Sequence, residues 1–260
     1  MIEEIISYLI LGLVQGLTEF LPVSSSGHIT LCSELLGIRS DDITFKILVH
    51  FATALSTIIV FRKDIVDLTI GFFSSSSDTS RKYIGFLALS CIPAAAVGFT
   101  LKDQIESLDR PSFIGYMLLV TALILVISQK LNSDSEKGVN AKSAILIGIS
   151  QAFAILPGIS RSGSTISTAL LLGISRSEAA RFSFLMALPV ILGATFLECN
   201  DMIEQGVTAS GPVLGYLVGV ISAFISGLLA CKLMIKLVKG TNLLWFAVYC
   251  AVVGVISITI

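Results

Sequence analysis

Six long apolar runs, at approximately residues 43–61, 83–101, 112–130, 178–198, 212–235 and 242–260, dictate most of what this chain can fold into. A helix needs about 20 apolar residues to cross a hydrocarbon core of ~30 Å, so each run reads as a transmembrane helix. The composition agrees. Only 13% of the 260 residues are charged and 54% are hydrophobic, whereas a soluble domain carries roughly 25% charged residues. The formal net charge of -1 gives no reason to expect a nucleic-acid partner. Glu3 and Glu4 occupy the place where a signal peptide carries Lys or Arg. The five cysteines (Cys32, Cys91, Cys199, Cys231 and Cys250) are scattered without metal-ligand spacing and read as small apolar helix residues rather than a disulfide or redox site.

Polar breaks separate the runs. Ser74-Ser75-Ser76-Ser77-Asp78 and Asn132-Ser133-Asp134-Ser135-Glu136-Lys137-Gly138 read as solvated linkers, and the second is the midpoint of the chain. Two other stretches, roughly 2–37 and 142–174, do not read as simple spans. Each is an apolar helical run, a Pro- and Ser-rich break, and a second short run ending in Leu-Leu-Gly-Ile. Broken backbone at membrane depth is tolerated only where protein or a cavity covers it. Each stretch is therefore expected to be a re-entrant helical hairpin.

An internal repeat supports this reading. At a shift of 136 positions, Gly12-Leu13-Val14-Gln15 falls on Gly148-Ile149-Ser150-Gln151, Ser24-Ser25-Ser26-Gly27 on Ser160-Arg161-Ser162-Gly163, and Leu35-Leu36-Gly37-Ile38 on Leu171-Leu172-Gly173-Ile174, without a gap. The expected fold is an all-α polytopic membrane protein, a repeat of one re-entrant hairpin plus three transmembrane helices. The first repeat covers 1–131, a linker 132–141, and the second repeat 142–260. Three spans per half invert the second repeat relative to the first. Inverted repeats with broken helices place their site near the midplane, where the breaks meet.

Charge bias sets the orientation. One side collects Arg62, Lys63, Arg81, Lys82, Lys130, Lys137, Lys142, Arg176, Lys232, Lys236 and Lys239, and is expected to be cytoplasmic; the other has only Arg39, Lys46, Lys102 and Arg110. Both termini and the mouth of the first hairpin then face outward.

The chemistry concentrates at the breaks. Gln15 and Glu19 share a helix face, Pro22 ends that helix, and Ser24 or Ser25 can cap the next one. His28 follows on the face of those serines, with Ser26 between. In the second break, Leu156-Pro157-Gly158-Ile159 precedes Ser160-Arg161-Ser162-Gly163-Ser164-Thr165. Both breaks present a helix start, where unpaired N–H groups favour an anion. The hydroxyls of Ser24, Ser26, Ser160, Ser162, Ser164 and Thr165 and the backbone at Gly163 add binding capacity, and the Arg161 fork suits phosphate oxygens. Two facing helix starts fit a diphosphate better than a carboxylate. Glu19 beside a phosphate is tolerated if it is protonated, if it transfers protons, or if a hard cation bridges it to phosphate oxygens; Gln15 could lend such an ion a neutral oxygen. Ionisable groups inside the membrane are costly and functional by default, which singles out Glu19, His28 and Arg161. Gln15 and Gln151 coincide in the repeat, which suits a shared packing role as well as a role in the site. His50 has no motif around it and reads as a packing or interfacial residue.

On Gln15-x-x-x-Glu19, Phe20-Leu21-Pro22-Val23-Ser24-Ser25-Ser26-Gly27-His28 and Pro157-Gly158-Ile159-Ser160-Arg161-Ser162-Gly163-Ser164-Thr165, the chain resembles the undecaprenyl-diphosphate phosphatase family, also called bacitracin-resistance proteins, over essentially its whole length. The resemblance implies a hydrolase that removes the terminal phosphate of undecaprenyl diphosphate at the outer, periplasmic face of the bacterial inner membrane. That reaction recycles the monophosphate carrier for peptidoglycan and cell-wall biogenesis. It also implies bacitracin resistance on overproduction, a divalent cation (Mg or Ca), and site roles for Glu19, Ser25, His28, Ser160 and Arg161. Many members carry Glu where this chain has Gln15, and an amide cannot act as a base, so Glu19 is expected to carry the larger share. Three routes stay open: Ser25 attacks with His28 as base, His28 attacks directly, or His28 activates a water. The competing reading is a secondary transporter or lipid flippase on the same architecture. The expected partners are the polyprenyl diphosphate, membrane lipids and a second copy of the chain in a homodimer.

Overall fold

The computed structural model describes residues 2–37, 42–74, 78–131, 137–205, 211–240 and 242–259. Arg39, Ile38 and parts of both expected linkers lie outside these residues. The described residues form helices joined by short connections. These are α1 (Ile2–Phe20), α2 (Ser25–Leu35), α3 (Ile43–Val60), α4 (Arg62–Phe73), α5 (Asp78–Thr100), α6 (Lys102–Glu106), α7 (Pro111–Leu131), α8 (Ala141–Phe153), α9 (Arg161–Leu171), α10 (Arg176–Gln205), α11 (Val213–Gly240) and α12 (Leu244–Thr259).

Five of them, α3, α5, α7, α10 and α11, are long and apolar enough to cross a membrane, so the protein is a multi-pass membrane protein. α12, within the sixth expected span, has 16 residues, or about 24 Å at ~1.5 Å per residue. Two helices were not expected. The stretch after α3 forms α4, whose Asp64 accepts a hydrogen bond from Arg181 of α10 at 2.6 Å. The stretch after α5 forms the short α6. Both are too polar for the apolar periodicity that marks a span, and a tertiary ion pair anchors each of them.

Both expected breaks are present: α1 ends at Phe20 and α2 starts at Ser25, while α8 ends at Phe153 and α9 starts at Arg161. In each case the two helices pack on one another. The halves are interleaved. α1 lies against α11 and α8 against α5, while α7 packs on α12 and α3 on α10. The contacts are made by small residues, as helix association in lipid requires. A Cβ on Gly12 would stand 2.2 Å from the Gly219 carbonyl oxygen on α11, and one on Gly148 would stand 2.4 Å from the Ser90 carbonyl oxygen on α5. Gly12 and Gly148 are the matched glycines of the repeat, so the same position permits the same close approach in both halves.

Local capping fixes where helices begin. Asp42 caps α3 by accepting from the Phe45 amide at 3.1 Å, and its carboxylate also receives the hydroxyls of Tyr8 at 3.1 Å and Tyr216 at 2.9 Å. That buried carboxylate ties α1, α3 and α11 together. Asn140 and Ser143 form a reciprocal capping box at the start of α8. Of the expected linker 132–141, Lys137 is paired in a short bridge with Ile174.

Candidate active site

The two breaks meet. A Cβ on Gly27 would lie 3.3 Å from the Gly158 Cα, and one on Gly163 would lie 3.2 Å from the Pro22 Cβ. The Ser162 hydroxyl donates to the Leu21 carbonyl at 3.1 Å, linking one break directly to the other. The second break is pinned from α7: Thr121 donates to the Gly158 carbonyl and accepts from the Ser160 amide, both at 3.0 Å. Gly158 has φ 96°, which a side chain rarely adopts. Ser24 takes φ 71° without being glycine, a conformation that is costly unless its surroundings impose it.

Each break ends in a capped helix start. Ser24 accepts from the Gly27 amide at 3.4 Å and Ser160 from the Gly163 amide at 3.0 Å. A helix start leaves its first amides without helical partners, and here both starts border one cavity of about 810 Å³. Glu19, Ser24, Ser25, Ser26, Ser160 and Arg161 line it.

Glu19 is the hub. One carboxylate oxygen forms an ion pair with Arg161 from the other hairpin. The other accepts from the Ser25 hydroxyl at 2.6 Å and from the Gln15 amide at 3.0 Å. The Glu19 side chain is only 3% exposed, whereas that of Arg161 is 23% exposed. Arg161 spends a single nitrogen on Glu19 among the described residues, so most of its five donors remain free to meet a ligand in the cavity.

His28 sits elsewhere. Its Nδ1 lies 2.8 Å from the Ser24 carbonyl, and its Nε2 lies 2.8 Å from the Tyr249 hydroxyl on α12; the two rings are stacked. A carbonyl can only accept, so Nδ1 carries a proton, and in the neutral ring Nε2 then receives the Tyr249 O–H. The expected Ser25–His28 pair is therefore not the one the structure makes. Ser25 is paired with Glu19, and both His28 nitrogens are occupied.

The remaining expected residues form the surroundings. The Ser24 and Ser26 hydroxyls lie 3.5 Å apart, and those of Ser160 and Ser162 lie 3.3 Å apart. Thr165 is buried, 2.5 Å from the Ser183 hydroxyl, and faces the protein rather than the cavity. Among the described residues the buried Ser164 hydroxyl meets no hydrogen-bond partner, and neither does Oε1 of Gln15. Among the described residues no three His, Cys, Asp or Glu side chains group as a metal site. The Gln15 amide meets Glu19 through its nitrogen, and of the two only Glu19 lines the cavity, so the carboxylate, rather than the expected pair of oxygens, is the group placed to suit a hard cation also held by phosphate oxygens.

Sequence reasoning missed the ion pairs on the cavity wall. Asp109 accepts from Thr30 at 2.9 Å and pairs with Lys46 at 3.2 Å. Lys102 pairs with Asp201, a hydrogen bond that raises the lysine pKa from its ordinary value. The segment carrying α6 is thus tied to α2, α3 and α10. His50 lines the cavity too, its Nδ1 2.8 Å from the Lys46 carbonyl, rather than serving only as packing. Tyr249 had no signal at all, because an apolar span conceals which residue will face a histidine 221 positions away.

Comparison with known proteins gives a consistent picture. The family described as "Bacitracin resistance protein BacA" matches residues 8–256. A protein of Bacteroides fragilis named undecaprenyl-diphosphatase is 44% identical over 97% of this chain and 96% of its own length. Proteins of the same name from Christiangramia forsetii and Methanosphaera stadtmanae are 45% and 39% identical, each over 98% of this chain and 97% of its own length.

Proposed function

The chain belongs to the bacitracin resistance protein family, and from that premise we propose that it hydrolyses undecaprenyl diphosphate to undecaprenyl phosphate and inorganic phosphate. The observation that carries the reading is Glu19, which binds a hydroxyl from its own hairpin and an arginine from the other, on the wall of a cavity bordered by two helix starts. An anion-binding pocket alone needs no buried carboxylate. A phosphoryl-transfer site has use for one as a base.

The roles follow from the bonds. Ser25 already points its proton at Glu19 at 2.6 Å, so Glu19 takes that proton as Ser25 Oγ attacks the terminal phosphorus. The bridging P–O bond breaks, and the lipid leaves as its monophosphate with the proton that Glu19 received. Water then attacks the phosphoserine and gives a proton to Glu19, inorganic phosphate departs, and Ser25 regains its proton. Arg161 and the free amides of α9 hold the phosphate oxygens as charge moves. His28, held between the Ser24 carbonyl and the Tyr249 hydroxyl, positions the Ser24 turn. Glu19, steadied by the Gln15 amide, would hold a divalent ion, Mg or Ca. When bound, it would neutralise phosphate charge and offset the repulsion between Glu19 and the substrate.

Lys46, Lys102, Asp109 and Asp201 line the cavity, at the ends of helices that sequence assigns to the side poor in Lys and Arg. This supports an active site open to the periplasm from the inner membrane. The crossed packing of α1 on α11 and α8 on α5 supports inverted repeats with re-entrant hairpins. A homodimer completes the proposal.

The test is phosphate release from undecaprenyl diphosphate by the purified protein. Release that collapses in Glu19→Ala and Arg161→Ala, and on chelation, is expected. Wild-type protein that moves the lipid between leaflets while releasing no phosphate would overturn the reading in favour of a flippase.

A further inference from the structure

Gln151 is buried near the end of α8, 1% exposed, and neither its amide nitrogen nor its amide oxygen has a hydrogen-bond partner among the described residues. It nonetheless lines the same cavity as Glu19, Ser25, Ser160 and Arg161. The repeat explains how this arises. Gln15, its counterpart, donates to Glu19 four residues on. Four residues after Gln151 stands Ile155, which offers no acceptor. The second half keeps the amide and lacks its partner.

Such a residue is an expensive way to fill space. A buried polar group left unpaired costs ~1–3 kcal/mol, and a methionine of similar volume would fill the same space without that cost. α8 leads into the break that ends at the α9 start, where Arg161 and Ser160 stand, so Gln151 borders the region where the anion is expected. A neutral amide adds a donor there without adding charge. We propose that Gln151 is a substrate-positioning residue whose Nε2 donates to a phosphate oxygen of the bound diphosphate, the second hairpin's counterpart to the Gln15–Glu19 bond. This rests on the phosphatase reading of the cavity.

The experiment compares Gln151→Met and Gln151→Glu with the wild type in the full-length protein. Three readings are taken: thermal stability without ligand, the stabilisation produced by inorganic pyrophosphate, and kcat and KM for phosphate release from a polyprenyl diphosphate. Gln151→Met should melt no lower than the wild type, because an unpaired group has been removed. It should lose the pyrophosphate-dependent stabilisation and raise KM roughly ten- to a hundredfold, the worth of one hydrogen bond to a charged group, with a smaller change in kcat. Gln151→Glu should weaken binding further by placing a like charge against phosphate. Unchanged KM and an unchanged pyrophosphate response in Gln151→Met would overturn the proposal. So would a lower melting point with unchanged KM, which would mark a packing residue or the anchor of a resident water. Wild-type protein that pyrophosphate stabilises but that releases no phosphate would instead overturn the phosphatase reading, while the binding comparison still decides the role of Gln151.

Discussion

Replacing Arg161 should destabilise the protein more than replacing the carboxylate it pairs with, and adding the second change should repair part of the damage. The Glu19 side chain is 3% exposed and that of Arg161 is 23% exposed. Arg161→Met therefore strands a carboxylate that water barely reaches, with only Ser25 and Gln15 among the described residues still donating to it. Removing one partner of a buried pair costs ~3–5 kcal/mol, and the two surviving donors place this case near the lower end, about 3 kcal/mol. Glu19→Gln strands a guanidinium that borders the cavity and can turn toward it, which limits the loss to about 1 kcal/mol, that of an ordinary hydrogen bond. At ~2–4 °C per kcal/mol for a chain of this size, the expected shifts are about 6–12 °C and about 2–4 °C. Thermal unfolding of the three variants in detergent or nanodiscs measures them. The double variant should be more stable than Arg161→Met alone, because the stranded charge is gone. Losses that simply add, or equal losses in the two single variants, would refute the argument from unequal burial.

Other consequences are as direct. Ser25→Ala should lower turnover by about 10³-fold or more if Ser25 is the nucleophile, while Tyr249→Phe and His28→Ala should each retain measurable turnover; rates of phosphate release decide, and near-normal turnover in Ser25→Ala removes the serine route. Gly12→Leu and Gly148→Leu should each lose at least ~1–3 kcal/mol by overpacking, because a Cβ there meets backbone oxygen at 2.2 Å and 2.4 Å. Gly85→Leu, where nothing among the described residues lies within 4 Å, should melt like the wild type, and equal losses at all three sites would sink the close-approach argument. The Lys102–Asp201 tie raises the folded-state lysine pKa, so its contribution is complete below the unfolded value and is lost as pH rises through the folded one. Wild type and Lys102→Met should then differ in melting temperature at pH 7 and converge only above about pH 10.4, the ordinary lysine value; convergence below pH 9 would contradict the assignment.

The parts of this protein that depend on neighbours in the chain were open to reading from the sequence. Apolar runs of span length, the helix-ending Pro22, the Pro157-Gly158 break, the capping Ser24 and Ser160, and the Gln15–Glu19 face all follow from periodicity and i to i+4 spacing, which are set by helix geometry. The repeat also brought Glu19 and Arg161 under suspicion together, since each is a charge at a break. Their direct pairing, 142 positions apart, was decided by how α1 and α9 pack. So were Ser25 turning to Glu19 instead of His28, His28 finding Tyr249, and the polar stretches 62–73 and 102–106 folding as α4 and α6 under ion pairs to α10. Local propensity says which way a side chain leaves its helix. Only the packed bundle decides what it meets there, because in a low-dielectric interior each polar group is held by whichever partner the close approach of small residues brings within reach.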